Sequence, residues 1–301
     1  MILCCGEALI DMLPVDGGAF APHAGGAVFN TAIALGRLGA PTGFFSGLSA
    51  DFMGDILRAK LAEARVDTSL SVTADRPCTL AFVQLVDGQA RYAFYDEGTA
   101  GRLLSVADLP NVTAQALFFG GISLVVEPCG ATYEALMQRE AGKRVLMIDP
   151  NIRPGFVRDE AAYRARLGRM LAMADIVKLS LEDLDWLAPQ GRESFVQGLL
   201  DGGTALVLLT DGSVGATAIT PTLRVFEPAR KVSVVDTVGA GDTFNAGVLD
   251  SLQKASALSR ERLKDLDEQT IRDALRRGAA AAAVTVSRAG ANPPWPSELM
   301  D

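Results

Sequence analysis

Asp242 is the side chain best placed for chemistry. It follows three small residues, Gly239-Ala240-Gly241, which lie between an apolar run at 232–235 and a second apolar run at 244–252. The spacing predicts a strand, a tight turn and a helix. Such a turn aims backbone N–H groups and the first turn of a helix at one point, a setting suited to the negative charge of a phosphoryl group. A carboxylate beside that point can take a proton from an attacking hydroxyl. A helix cap accounts for an aspartate alone, but less well for one preceded by three residues small enough to let a ligand reach the backbone. The chain has no Gly-x-x-x-x-Gly-Lys-Ser/Thr run, so a P-loop nucleotide site is not indicated.

The elements that must position this turn follow an α/β rhythm. Residues 2–5, 44–48, 116–119, 144–148, 176–179, 205–209, 215–219 and 223–226 read as strands. Helical patterns cover 29–38 (behind Gly25-Gly26 and ended by Gly39), 55–64, 131–140, 160–173, 182–187, 244–254 and 270–282. This alternation predicts a layered α/β domain. Polar residues follow several strands: Asp149, Lys178 with Ser180, Thr210 and Asp236. Ligands of open α/β sheets sit beyond the carboxyl ends of the strands. Residues 78–86 and 90–95, joined at Asp87-Gly88, read as a hairpin. It can serve as a lid, an extra sheet edge or an oligomer contact.

Composition bounds the rest. The 301 residues are 49% hydrophobic, enough for one large core, and the formal net charge is -8. No basic block suggests a nucleic-acid tract. Cys4, Cys5, Cys78 and Cys129 have neither metal-ligand spacing nor the look of a disulfide framework, which fits a reducing cytoplasmic setting. The lone His23 supports no histidine-centred metal site or triad. No apolar run approaches the roughly 18 to 20 residues needed to span a bilayer.

The run Asp-Thr-Val-Gly-Ala-Gly-Asp-Thr-Phe at 236–244 resembles the C-terminal signature of the ribokinase-like (PfkB) carbohydrate kinases. Gly25-Gly26-Ala27-Val28-Phe29-Asn30 resembles the family's di-glycine sugar motif, and Gly6-Glu7 with Asp11 its opening strand and loop. The run at 47–54 is similar to its Gly-x-x-Gly-x-Asp-x-x-Gly region. Asp149-Pro150-Asn151-Ile152-Arg153-Pro154, Val177-Lys178-Leu179-Ser180 and the tail at 287–292 resemble bacterial fructokinases in particular. The resemblance covers essentially the whole chain.

It implies a single three-layer α/β/α ribokinase-like sandwich over 1–301. A small β-sheet lid would be formed by about 9–20 and 70–100. It implies that Asp242 is the base for a sugar's primary hydroxyl, with the amides of Gly239, Ala240, Gly241 and Asp242 as the anion hole and Arg153 near the transferring phosphates. Asp11, Gly25, Gly26 and Asn30 would hold sugar hydroxyls, with Phe82, Arg91 or Phe94 touching substrate. Lys178 and Ser180 would face the phosphates of ATP. Thr210, Asp211, Gly212 and Gly215 would line the nucleotide site, with Asn245 near it. A monovalent cation, K⁺, is implied near Asp236, Thr237, Ala283 and Gly290. The family's Asn-x-x-Glu element appears here as Ser180-Leu181-Glu182-Asp183, so Mg²⁺ would be held mostly by nucleotide phosphates and water, with Asp183 acting indirectly.

Fructose is the first choice of substrate. Ribose, 2-keto-3-deoxygluconate and a nucleoside remain alternatives, and a catalytically silent sugar-binding regulator is the reading from another class. Unpaired edges on a protruding hairpin favour a homodimer through the lid.

Overall fold

The computed structural model describes residues 1–86 and 89–299, with the backbone alone described at 85, 86 and 89–91. The Asp87-Gly88 turn therefore lies outside the described residues. From the N-terminus, β1 (Ile2–Cys5) leads to β2 (Leu9–Pro14), β3 (Phe20–Gly25), α1 (Ala27–Arg37), β4 (Thr42–Phe45), β5 (Gly47–Ser49) and α2 (Phe52–Glu63). Three strands follow, β6 (Val72–Ala74), β7 (Leu80–Val86) and β8 (Gln89–Tyr95). The alternation then resumes with β9 (Ala116–Gly120), α3 (Cys129–Glu140), β10 (Val145–Asp149), α4 (Glu160–Met173), β11 (Ile176–Ser180), α5 (Leu181–Leu187) and α6 (Arg192–Asp201). β12 (Leu206–Asp211), β13 (Gly215–Ile219), β14 (Arg224–Pro228), α7 (Ala240–Lys254), α8 (Arg260–Lys264) and α9 (Glu268–Val286) complete the chain.

The main sheet runs β14-β13-β12-β11-β10-β9-β1-β4. It is parallel from β12 to β4 and antiparallel only at the β13–β14 edge. A parallel sheet must be covered on both faces, and the period-2 alternation of its strands builds two cores. Cys4, Phe118, Met147 and Leu208 point to the side of α1, α2, α7 and α9. Leu3, Phe119, Ile148 and Val207 point to the side of α3, α4 and α5. The result is the three-layer α/β/α sandwich. A second sheet, β3-β2-β7-β8, stands apart from the first.

Three local expectations change. Residues 232–235 form no strand: Val234 and Val235 are exposed, and the segment hangs from the end of α9 through Val235 N and Asp236 N to the Val286 carbonyl (2.8 and 3.2 Å). Val232 and Val234 line a cavity instead of pairing in a sheet, which explains an apolar run without a strand. Residues 44–48 are not one strand, because β4 joins the main sheet while β5 pairs with β6. β3, β6, α6 and α8 were not anticipated. β3, Phe-Ala-Pro-His-Ala-Gly, lacks strand alternation and is held by its pairing to β2.

Two glycines explain the placement of α7. Gly239 caps it at φ 77°, and a Cβ there would lie 2.7 Å from the Ala291 side chain. Gly247 packs on the backbone of Gly278 in α9, where a Cβ would lie 2.7 Å from Gly278 Cα. The chain bends sharply, and α7 and α9 then lie close enough to hold that bend in place.

Candidate active site

Asp242 sits in the first turn of α7, buried at 6% exposure. Each carboxylate oxygen receives an amide: Asn30 Nδ2 donates to Oδ2 at 2.9 Å, and Asn151 Nδ2 to Oδ1 at 3.3 Å. Burial is the first cause that pushes its pKa up to about 7, and the nearby Asp149 charge adds to this. The Asn30 bond and the charges of Lys178 and Arg153 pull the other way. A carboxylate with a pKa near neutrality is suited to take a proton and release it again.

Around Asp242 the backbone presents donors. The Ala240 amide is bonded back to the Thr237 carbonyl at 3.3 Å. Among the described residues, the amides of Gly241 and Asp242 have no protein acceptor and remain available at the helix start. Lys178 Nζ lies 3.3 Å from where a Cβ on Gly241 would stand, so a buried ammonium borders the turn. Lys178 does not reach solvent; its Nζ bonds Asp149 Oδ2 at 2.9 Å. Arg153 is exposed, and among the described residues it bonds only its neighbour's carbonyl, Ile152 O, at 3.1 Å.

A cavity of about 550 Å³ opens against this turn. It is lined by Ala240 and Gly241 of the turn, by Thr210, Gly212 and Gly215, and by Ala283 of α9. Val232 and Val234 line it as well. Asp211 does not line it. Asn245 does not either, being fully buried beneath the turn with Nδ2 donating to Asp149 Oδ2 at 2.7 Å.

On the opposite side, Glu7 ties the di-glycine turn down. Its carboxylate accepts from Ala27 N (2.9 Å), the first residue of α1, and from Ser123 N (3.3 Å). Asn30, one turn along α1, is thereby carried to Asp242. A Cβ on Gly25 would fall 2.2 Å from Asp11 Oδ2, so Asp11 lies against that glycine. Burial pushes the Asp11 carboxyl up to about 6.

The register of the small sheet corrects one assignment. Asp11 is paired with Ala81, and Ala81 with Phe94, so Phe94 shares Asp11's face while Phe82 points to the other. Phe82 packs edge-on with Phe20 (5.0 Å) and Tyr95 (5.5 Å), away from Asp11. Phe94 meets Phe156, just after Arg153, at 4.6 Å. Arg91 pairs with Gln84 in β8, and its side chain lies outside the described residues.

The residues suggested for metals have clear settings. Asp183 is not free to ligate directly: Oδ1 accepts from Ile152 N (2.7 Å), and Oδ2 from Ser180 N (3.1 Å) and Oγ (2.8 Å). Ser180 and Asp183 form a capping box at the start of α5. Asp236 joins two loops, accepting from Val238 N (3.0 Å) and Gly290 N (2.9 Å). Among the described residues no group of three or more His, Cys, Asp or Glu side chains could hold a metal. Asp149, Asn151, Glu7 and Tyr92 received no role from the sequence. Tyr92 stacks on Phe94 at 5.7 Å, and the alternation Tyr92-x-Phe94 was the signal available for it.

Comparison with known proteins agrees with this geometry. The profile of the pfkB family carbohydrate kinases matches residues 1–298. A fructokinase of Rhizobium leguminosarum bv. trifolii is 55% identical over 280 residues, covering 91% of this chain and 86% of the relative. A crystal structure of a fructokinase from Xylella fastidiosa with bound ATP superposes with a TM-score of 0.90 at 34% identity, over 96% of this chain and 93% of that one. A double mutant of a fructokinase from Vibrio cholerae O395, with fructose, ADP and potassium ion bound, gives a TM-score of 0.85 at 25% identity, over 96% and 93% of the two chains. No helix among the described residues is long and apolar enough to cross a membrane.

Proposed function

This chain belongs to the pfkB family of carbohydrate kinases, and we propose that the sugar it phosphorylates is fructose. It is an ATP-dependent kinase that transfers a phosphoryl group to a sugar hydroxyl. One observation carries the residue assignment: the 550 Å³ cavity is lined by Ala240 and Gly241, the two residues that adjoin the clamped carboxylate of Asp242. A nucleotide in that cavity brings its terminal phosphate to the helix start. A sugar held near Asp11, Gly25 and Gly26 brings its primary hydroxyl to Asp242.

In this reading Asp242 accepts the hydroxyl proton as the new O–P bond forms and the bond to the departing ADP breaks. Charge on the transferring group is met by the amides of Gly239, Gly241 and Asp242, by Lys178 and by Arg153. Asn30 orients the base; its amide is already given to Asp242, and its second N–H and its carbonyl remain for a sugar hydroxyl. Thr210, Gly212 and Gly215 flank the nucleotide. Mg²⁺, when bound, supplies charge neutralisation on the phosphates. With Asp183 filled by protein donors, the nucleotide and water would hold the ion. K⁺, when bound, would be held near Asp236 and Thr237, beside Gly290 and the end of α9 near Ala283, and would stiffen the loop behind the turn. Two copies pair through the outer face of the small sheet, where Phe20 and Tyr95 are exposed with Phe82 between them.

ADP release over fructose, ribose, 2-keto-3-deoxygluconate and a nucleoside, with and without Mg²⁺ and K⁺, tests substrate and ions together. Fructose is expected to give the highest kcat/KM and K⁺ omission a lower rate. A higher kcat/KM on another acceptor overturns the fructose assignment.

A further inference from the structure

A single buried carboxylate touches both halves of the site. Asp149 ends β10 at 1% exposure. Its Oδ1 accepts from Asn151 N at 3.2 Å, and its Oδ2 accepts from Lys178 Nζ at 2.9 Å and Asn245 Nδ2 at 2.7 Å. The first contact leads to the base: it holds the bend in which Asn151 adopts φ 45°, and from which Asn151 Nδ2 reaches Asp242. The second leads to the phosphoryl side. Asp149 is the one hydrogen-bond partner of Lys178 Nζ among the described residues, which leaves two of the three ammonium N–H bonds beside Gly241. The third reaches Asn245, one turn beyond Asp242 on α7, whose own Oδ1 has no partner among the described residues.

Stability is a poor reason for such an arrangement. A buried ion pair is often no better than apolar residues of the same volume, and β10 and β11 are already joined by their backbones. We propose that Asp149 is a positioning residue for phosphoryl transfer, fixing Asn151 on the base side and Lys178 on the phosphate side so that proton acceptor and positive charge meet one reacting group. The inference rests on the kinase reading above.

The test is a double-mutant cycle of Asp149→Asn and Lys178→Met, measured at saturating ATP and fructose with circular dichroism to establish folding. Each single variant is expected to lose about 30- to 100-fold in kcat with KM changed less than about threefold, and the double variant to fall no more than about threefold below the worse single. Multiplying losses overturn the proposal. The pH profile is the second readout. The groups facing Asp242 are Asn30 from α1, Asp149 from β10, Asn151 and Arg153 from the following loop, and Lys178 from β11. Removing the Asp149 charge moves the acid limb of kcat to lower pH, and a limb that stays in place overturns the coupling of Asp149 to the base. If Asp149→Asn alone does not fold, the charge-balanced double variant is compared with Lys178→Met for the same shift. Normal turnover of Asp149→Asn beside an inactive Asp242→Asn ends this inference only; normal turnover of Asp242→Asn ends the kinase-base reading itself.

Discussion

Asp242 and Asp11 are both buried enough to have raised pKa values, yet they are held in opposite ways. Asp242 receives amides from two other elements and borders a charge network reaching β10 and β11. Asp11 stands on the small sheet against Gly25, and among the described residues no side-chain hydrogen bond restrains it. The difference fits the two tasks proposed for them. A proton acceptor gains from being fixed before the substrate arrives, because reorganising buried charge during reaction adds to the barrier. A residue that recognises a sugar needs its hydrogen-bonding capacity free for the ligand.

The sharpest way to break this contrast is Asp242→Asn. Turnover is expected to fall at least about 100-fold while ATP affinity, read by calorimetry, changes less than about threefold. Gly239→Ala comes next. It puts a Cβ 2.7 Å from Ala291 at a φ of 77°, displacing the amides, and turnover should fall about tenfold or more with the sugar KM nearly unchanged. On the other side, Gly25→Ala drives Asp11 Oδ2 from its place, since the added Cβ would meet it at 2.2 Å. Steady-state kinetics should show the sugar KM raised about fivefold with kcat changed less than about twofold. A kcat loss as large as that of Gly239→Ala would erase the proposed division of labour.

The smallest effect is on stability. The folded Asp242 carboxyl titrates near 7 against an unfolded value of 3.8. Its stabilising contribution is therefore full below about pH 4 and lost as pH rises through about 7. Asp242→Asn removes that dependence. The difference in Tm between variant and wild type should move in the variant's favour by about 6 °C from pH 4 to pH 8, read by thermal melts. A constant difference would place the base in a wetter setting than its 6% exposure indicates.

Much of this was legible in local sequence. The Gly239-Ala240-Gly241-Asp242 bend needs only neighbouring residues to form, and the strand–helix alternation around it follows from hydrophobic period. Phe82 shows where that legibility stops. Its type and place in a hairpin were readable, but the face it occupies depends on β7 pairing with β2 so that Ala81, not Phe82, lies opposite Asp11. The valines at 232–235 have strand composition but no partner, since β14 closes that edge of the sheet. Asp183 read as an acid acting indirectly on Mg²⁺, and the capping box it forms with Ser180 was not read from the sequence.

The sequence by itself determined a layered α/β domain with a Gly-Ala-Gly bend and a carboxylate beside it, because bends, caps and amphipathic periods are short-range properties. Only the tertiary structure decided what surrounds that carboxylate. Asn30 reaches Asp242 across 212 residues of chain, and Lys178 and Asn245 meet Asp149 across 29 and 96. Contacts at such separations are set by which strand ends lie side by side in the sheet, a result of packing two cores that no local pattern records.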